Sequence, residues 1–221
     1  VWDARTETVE VDIPAKTSSL VTSLTSDQVA GNIFVAGFAD GTLRVYDRRI
    51  DPRDSMVRRW RSASNGNQNS WINNVHLQRG GYRELVSGAT SGVVELWDLR
   101  SQDAVLSFVD ENSSQSGDQK RATTTLTSLQ VHEHAPIIAT GTRQVKIWTT
   151  SGDLLSSFKN NQSSISNNVA NTLAATGIRS YTSNSFISSM AFHPHRMMLA
   201  AVNSHDTRIN IYNCVGRADK Y

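Results

Sequence analysis

The sequence predicts an all-β protein assembled from a repeated unit, and two observations carry that prediction. A branched or leucine side chain followed by Trp or Tyr, usually then by Asp, recurs five times at intervals of 44 to 64 residues. Between these marks lie short segments rich in β-branched and aromatic residues and bounded by turn residues. A unit of this length is typical of the blades of a WD-repeat β-propeller. The aromatic marks are Trp2, Tyr46, Trp97, Trp148 and Tyr212.

Each repeat supplies four strand-like segments, and a tight hairpin joins the last two. In the first repeat this hairpin is Asp40-Gly41, where glycine provides the positive φ that a two-residue turn requires. The second repeat turns at residues 90–92 and the third at residues 141–143. We therefore expect the four strands of each repeat to form one blade. The predicted strands are 8–11, 20–24, 32–36 and 42–46; then 55–60, 71–77, 83–87 and 92–97; then 104–108, 126–131, 137–140 and 144–148; and finally 153–158, 186–192, 198–202 and 208–212.

The aromatic marks are expected to be core residues. A blade strand that is flanked on both sides buries its aromatic side chain between neighbouring sheets. The Asp that often follows the aromatic residue can accept N–H bonds from the adjacent turn, a role that short polar side chains fill in turns. The five marks therefore indicate architecture and not a ligand cage.

The count of repeats predicts that residues 1–221 are a partial propeller. Four repeats follow Trp2, and residues 1–3 have the pattern of the end of a further blade. Residues 213–221 make a poor strand, so the last blade needs an outer strand from elsewhere. We expect the C-terminal portion, about four and a fraction blades, of a seven-bladed ring, with the missing blades preceding Val1. Two long polar insertions are expected at 109–124 and 159–184.

Composition argues against several classes of function. The net charge of +2 gives no global field toward nucleic acid, and no apolar run approaches the ~20 residues of a membrane span. The pairs His132/His134 and His193/His195 lack a Cys or carboxylate at ligand spacing, so we interpret them as turn residues. No nucleophile elbow, phosphate-binding glycine loop or zincin helix occurs. We predict a protein that is not an enzyme, has no cofactor or metal, and does not insert into membranes.

The stretch from Arg44 to Arg61 carries seven arginines interleaved with three aspartates. Three interpretations remain open: a solvated bend that pairs with itself, a protein contact, or a nucleic-acid contact that would need unpaired cations. Trp60 lies between two arginines and could stack on a partner. The candidate protein-interaction residues are Arg48, Arg49, Arg53, Arg58, Arg59, Trp60, Arg61 and Trp71.

Two segments carry a more specific resemblance. Residues 40–49, Asp-Gly-Thr-Leu-Arg-Val-Tyr-Asp-Arg-Arg, and residues 187–195, Ile-Ser-Ser-Met-Ala-Phe-His-Pro-His, resemble the C-terminal propeller of the Raptor family. That family provides the scaffold subunit of target-of-rapamycin complex one. The resemblance continues at residues 21–24, 35–37 and 151–154 and covers nearly the whole chain in order.

The resemblance implies a non-enzymatic scaffold in nutrient signalling. The implied partners are the target-of-rapamycin kinase, its substrates, small-GTPase regulators and upstream domains of the same polypeptide. The implied location is the cytoplasm and the lysosome or vacuole surface. The alternatives are another WD-repeat adaptor, in ubiquitin ligation or trafficking, and a nucleic-acid-binding propeller that uses Arg48, Arg49, Arg58, Arg59 and Arg61.

Overall fold

The computed structural model describes residues 1–63, 70–78, 84–110, 125–159, 186–204 and 208–214. The chain divides into two compact units, Val1–Leu126 and Thr127–Tyr221. Within the described residues every extended regular element is a β-strand, and no helix is long and apolar enough to cross a membrane. The predicted insertions at 109–124 and 159–184 lie almost wholly outside the described residues.

The first unit contains a two-stranded ribbon, β1–β2, and two four-stranded antiparallel sheets in the orders β3-β4-β5-β6 and β7-β8-β9-β10. Each sheet is a meander, because consecutive strands pair along the chain. The strands are β1 Trp2–Asp3, β2 Thr8–Val9, β3 Val21–Ser26, β4 Ile33–Phe38, β5 Thr42–Asp47, β6 Met56–Arg61, β7 Ile72–Leu77, β8 Glu84–Ala89, β9 Val93–Asp98 and β10 Ala104–Val109.

The second unit contains a four-stranded sheet, β11-β12-β13-β14, and a sheet with three described strands, β15-β16-β17. Both sheets are antiparallel meanders like those of the first unit. The strands are β11 Ser128–Val131, β12 Ile137–Gly141, β13 Gln144–Thr149, β14 Leu154–Lys159, β15 Ile187–Phe192, β16 Met198–Asn203 and β17 Ile209–Asn213.

The sequence repeat and the sheet are offset by one strand. Every predicted strand is present with its ends displaced by at most two residues. The expectation that the four strands of one repeat form one sheet is wrong, however. The first strand of each repeat pairs with the strand that precedes it in the chain, which carries the aromatic mark. Strand β6, for example, pairs with β5. Each four-stranded sheet therefore combines three strands of one repeat with the first strand of the next.

Alternation along the strands gives the first sheet two apolar faces. On one face Val35, Leu43 and Trp60 pack against the second sheet, which contributes Ile72 and Trp97 among others. The sheets approach so closely that a Cβ added at Gly37 would lie 2.5 Å from Cγ2 of Ile72. Glycine is therefore required there by space and not by backbone conformation.

The opposite face of the first sheet is covered by the segment that leads into it. Ala36, Phe38 and Tyr46 are buried on this face, with Ile13 and Ala15 packed against them. In the hairpin between β4 and β5, Gly41 has φ +75°, as the Asp-Gly pattern predicts. The second unit has its own core, built from Ile137, Ile147, Ile187 and Leu199 with neighbouring aliphatic residues.

Candidate functional site

The arginines predicted to share one connection are distributed over three environments. Arg48, Arg49 and Arg53 lie in the turn between β5 and β6, whereas Arg58, Arg59 and Arg61 lie on strand β6 itself. Arg44 is buried on β5. The interpretation of residues 44–61 as a single solvated bend is therefore wrong for all but the turn, because most of these arginines belong to strands.

Within the turn the charges do pair locally. Asp47 Oδ1 accepts hydrogen bonds from the backbone N–H of Arg49 at 3.0 Å and from its Nε at 2.9 Å. These side-chain and backbone bonds hold the pKa of Asp47 at about 2, below its ordinary 3.8. Asp51 Oδ1 accepts the backbone N–H of Arg53 at 2.9 Å. The guanidinium of Arg49 is thus paired with Asp47, at the end of β5.

The same device closes two other aromatic strands. Asp3 Oδ1 accepts the N–H of Arg5, and Asp98 Oδ1 accepts the N–H of Arg100, both at 2.8 Å. Backbone hydrogen bonds from these arginines lower the pKa of both carboxyl groups. In each case an Arg follows the Asp by two residues, so the motif visible in the sequence is aromatic-Asp-x-Arg. Its aspartate shapes the turn, as the sequence analysis expected.

Replacing Asp47 by Asn should remove about 1–2 kcal/mol of stability at pH 7, because a charge-assisted bond becomes a neutral one. The pKa of Asp47 is lowered in the folded state, so its contribution is fully present above pH 4. It disappears as the pH falls from about 4 to about 2. Urea unfolding at intervals between pH 2 and pH 7 should therefore show the free energies of unfolding of the unmodified chain and of Asp47→Asn converging toward pH 2. Asp51→Asn, on the exposed side of the turn, is the matched control, and a parallel curve for it and Asp47→Asn would contradict this account.

Strand β6 presents different side chains to its two faces. Arg58 Nη1 and Trp60 Nε1 donate to the Ser101 carbonyl at 2.6 and 3.1 Å, and the Arg58 guanidinium lies 5.7 Å from the Trp60 ring centroid. Trp60 is buried with Trp97 in the core between the two sheets. Arg58 and Trp60 therefore join two sheets of the first unit and are poorly placed to contact a partner. Arg59 and Arg61 are exposed on the other face.

A buried charge occupies the same register position in three sheets. Arg44, Glu95 and Lys146 each precede the aromatic mark by two residues and are at most 6% exposed. Arg44 Nη1 donates to the Ala15 carbonyl, and Glu95 Oε1 accepts the N–H of Ala63 at 2.8 Å. Burial raises the pKa of Glu95, and hydrogen bonds from Ser62 and Ala63 oppose that rise. In the first unit each buried charge thus binds the backbone of the segment that leads into its sheet. The sequence signal for these residues was a charged residue two positions before an aromatic mark.

The aromatic marks themselves line the interiors of the sheets. Tyr46, Trp97 and Trp148 are buried, and Tyr212 is half-buried with its ring 4.8 Å from Phe158. Trp97 Nε1 donates to Ser87 Oγ at 2.9 Å, and Trp148 Nε1 donates to Thr140 Oγ1 at 2.8 Å. The side chain of Trp2 lies outside the described residues. Trp71, in contrast, is 49% exposed immediately before β7 and is the one tryptophan that the first unit presents to solvent among its described residues.

Polar side chains at the start of the inner strands bridge neighbouring sheets, a feature that sequence reasoning missed. Thr22 Oγ1 donates to the carbonyls of Gly37 and Ile72 in the first unit. Thr127 Oγ1 donates to the carbonyls of Gly141 and Ile187 in the second unit. The side chains are small and polar in a run of similar residues, so spacing gave no distinct signal.

The two histidine pairs lie together in the second unit. His132 Nδ1 accepts the N–H groups of His134 and Ala135, both at 3.1 Å, and His193 Nδ1 accepts the N–H of His195 at 3.1 Å. The rings of His134 and His195 stack with centroids 5.7 Å apart. The described part of the chain contains no group of three His, Cys, Asp or Glu residues placed to hold a metal ion. These histidines shape two turns, as expected, but their proximity could not be read from the sequence.

Comparison with known families identifies the fold. A β-propeller family model described as Nucleolar protein 10-like, N-terminal domain, matches residues 7–211. The chain belongs to this family. The match covers the three four-stranded sheets and all but the last two residues of the three-stranded sheet, and it confirms the prediction of an all-β propeller.

Within this family the chain has relatives whose descriptions match the resemblance seen in the sequence. It is 74% identical, over 220 residues, to Target of rapamycin complex 1 subunit KOG1 of Saccharomyces cerevisiae, covering 97% of the chain. The crystal structure of Chaetomium thermophilum Raptor matches 97% of the chain with a TM-score of 0.78 and 35% identity. The chain spans 14% of the length of KOG1 and 17% of the Raptor chain. It is homologous to both proteins.

A more distant structure supports the fold alone. The Cps50 (Swd1) β-propeller domain of Myceliophteria thermophila matches 88% of the chain, and 54% of that domain's chain is covered. The TM-score is 0.61 at 16% identity. Propeller geometry is therefore retained at sequence distances where function no longer follows from similarity.

Proposed function

We propose that the chain is part of a non-enzymatic, Raptor-like propeller that supports assembly of a target-of-rapamycin kinase complex and the recruitment of its substrates and regulators. The observation that carries this proposal is the 74% identity, across 97% of the chain, to a subunit of Target of rapamycin complex 1. Identity of that extent reaches beyond the buried framework to the exposed turns and strand edges, where partner contacts are made. The kinase activity belongs to the partner subunit.

We also propose finer features, which rest on the resemblance seen in the sequence. The chain is the C-terminal portion of a seven-bladed ring, and its partners are the kinase, the kinase's substrates, small-GTPase regulators and upstream domains of its own polypeptide. It acts in the cytoplasm and at the lysosome or vacuole surface. Supporting observations are the four successive sheets of blade type and the much greater length of the relatives.

The distribution of arginines favours protein binding over nucleic-acid binding. Arg44 is buried, Arg49 is paired with Asp47, and Arg58 is bound to the Ser101 carbonyl. Nucleic-acid binding by counterion release needs a continuous set of free cations along one path. Of the remaining exposed arginines, Arg48 and Arg53 lie in the turn before β6, and Arg59 and Arg61 lie in the second half of β6. They therefore do not form one continuous set.

Affinity purification of the full-length product that carries this chain tests the proposed function. We expect a target-of-rapamycin kinase to co-purify at a level comparable to the bait and to survive nuclease treatment. A tagged product should also be seen in the cytoplasm and at the vacuole or lysosome surface. Recovery of ubiquitin-ligase or coat subunits without the kinase would support the other adaptor function and contradict this one. Loss of partners on nuclease treatment would support nucleic-acid binding.

A further inference from the structure

Strand β6 is an open sheet edge. The first sheet has the order β3-β4-β5-β6, so among the described strands β6 has a neighbour on one side only. On the face of β6 opposite Trp60, the side chains of Val57, Arg59 and Arg61 are exposed. Among the described residues, no backbone hydrogen bond joins residues 57–61 to a strand other than β5. An edge of this kind is a template for pairing with another extended segment.

The edge carries positive charge that nothing on the described part of the chain neutralises. Arg59 lies directly opposite Arg44, and Arg61 lies opposite Thr42. Like charges in directly opposed positions of an antiparallel pair are unfavourable. Arg44 is only 4% exposed, and its Nε has no hydrogen-bond partner. No described carboxylate lies within ion-pair distance of Arg59 or Arg61.

The arginines of β6 are not a requirement of the blade. By register, Ser107 of β10 and Ser157 of β14 occupy the position of Arg59. Their cross-strand neighbours are the buried Glu95 and Lys146, which correspond to Arg44. The same backbone therefore accepts a small neutral residue at this position. At the position of Arg61, β10 has Val109 and β14 has Lys159. A cation at both positions is therefore found in the first sheet alone among the three four-stranded sheets described.

We propose that β6 binds an extended acidic peptide of a partner protein by strand addition. A peptide paired along residues 58–61 would satisfy the outward N–H and C=O groups of β6, and the register shift at Val57 limits the straight part of the edge to this stretch. Side chains of neighbouring strands lie about 4.5–5.5 Å apart in directly opposed pairs. Two carboxylates spaced two residues apart would therefore face Arg59 and Arg61. The inference stands independently of the proposed scaffold function, because it concerns an edge whose geometry lies within one sheet.

The probe is a fluorescein-labelled peptide, Thr-Val-Glu-Val-Glu-Val-Thr, titrated with the full chain at physiological salt and followed by fluorescence anisotropy. Arg59→Ser, which installs the serine found in β10, combined with Arg61→Ser should weaken binding at least about tenfold. Arg48→Ser with Arg53→Ser removes the same charge from the turn and should change the Kd by less than about twofold. The peptide with both Glu replaced by Gln should bind the unmodified chain as weakly as the acidic peptide binds the β6 variant.

Four results would overturn the proposal. The first is an equal loss of peptide affinity in the two double variants, and the second is no measurable binding of the acidic peptide. The third is undiminished binding of a peptide that is N-methylated along its pairing edge. The fourth is that a single-stranded oligonucleotide displaces the labelled peptide more strongly than the unlabelled peptide does. Sedimentation that showed chain dimers, lost in the β6 variant, would assign the edge to a second copy instead. If the β6 variant fails to fold, the Glu-to-Gln peptide on the unmodified chain decides the same question.

Discussion

Trp97→Ala should lower the free energy of unfolding by about 3–5 kcal/mol, the range found when large aromatic residues are removed from protein cores. Trp97 is 3% exposed and is one of the aromatic marks. Its ring lies 5.4 Å from that of Trp60 in the core between the first two sheets, and its Nε1 donates to Ser87 Oγ. The substitution therefore removes packing from both sheets and leaves a buried hydroxyl without its donor.

Trp71→Ala is the matched control, because the same side chain is removed from a position that is 49% exposed. We expect a change within about 0.5 kcal/mol, as for most surface substitutions. Urea denaturation of the unmodified chain and the two variants, followed by far-ultraviolet circular dichroism, gives the change in free energy of unfolding for each substitution. Similar losses for the two tryptophans would contradict the division of the aromatic residues into a buried framework and an exposed surface.

Local patterns predicted the strands well because a strand is defined by features that the sequence carries. Alternation, β-branched residues and turn residues located all the strands with end displacements of at most two residues. The Asp-Gly hairpin and the turn-capping role of Asp47 and Asp98 followed from the same local chemistry. The offset between repeat and sheet did not, because pairing partners are a property of tertiary structure and both assignments satisfy the same periodicity.

The candidate site was predicted less well, since its chemistry depends on which way each side chain points. Reading residues 44–61 as one bend hid the alternation on β6 that turns Arg58 and Trp60 inward and leaves Arg59 and Arg61 exposed. Arg44 looked like its neighbours in sequence, yet it is buried against Phe38, with its guanidinium 4.4 Å from the ring centroid. Proximity of the histidine pairs could not be inferred, because 61 residues and several strands separate them in sequence.

A chimera of KOG1 should retain its kinase partner when this chain replaces the 220 residues to which it is 74% identical. The physical reason is that propeller cores accept many sequences, whereas partner recognition depends on exposed turns and edges. The part of the Cps50 propeller domain that matches this chain, with a TM-score of 0.61 and 16% identity, offers a fold-matched insert of different sequence. Inserted at the same place, it should give a soluble protein with little associated kinase.

The measurement is the amount of target-of-rapamycin kinase recovered per mole of tagged bait from cells that express native KOG1, the chimera or the Cps50 control. If the chain is an interacting propeller of the target-of-rapamycin complex, recovery with the chimera will match that with native KOG1, and the control will fall at least about tenfold. Equal recovery with the chimera and the control, or a full-length soluble chimera that recovers no kinase, would contradict the account.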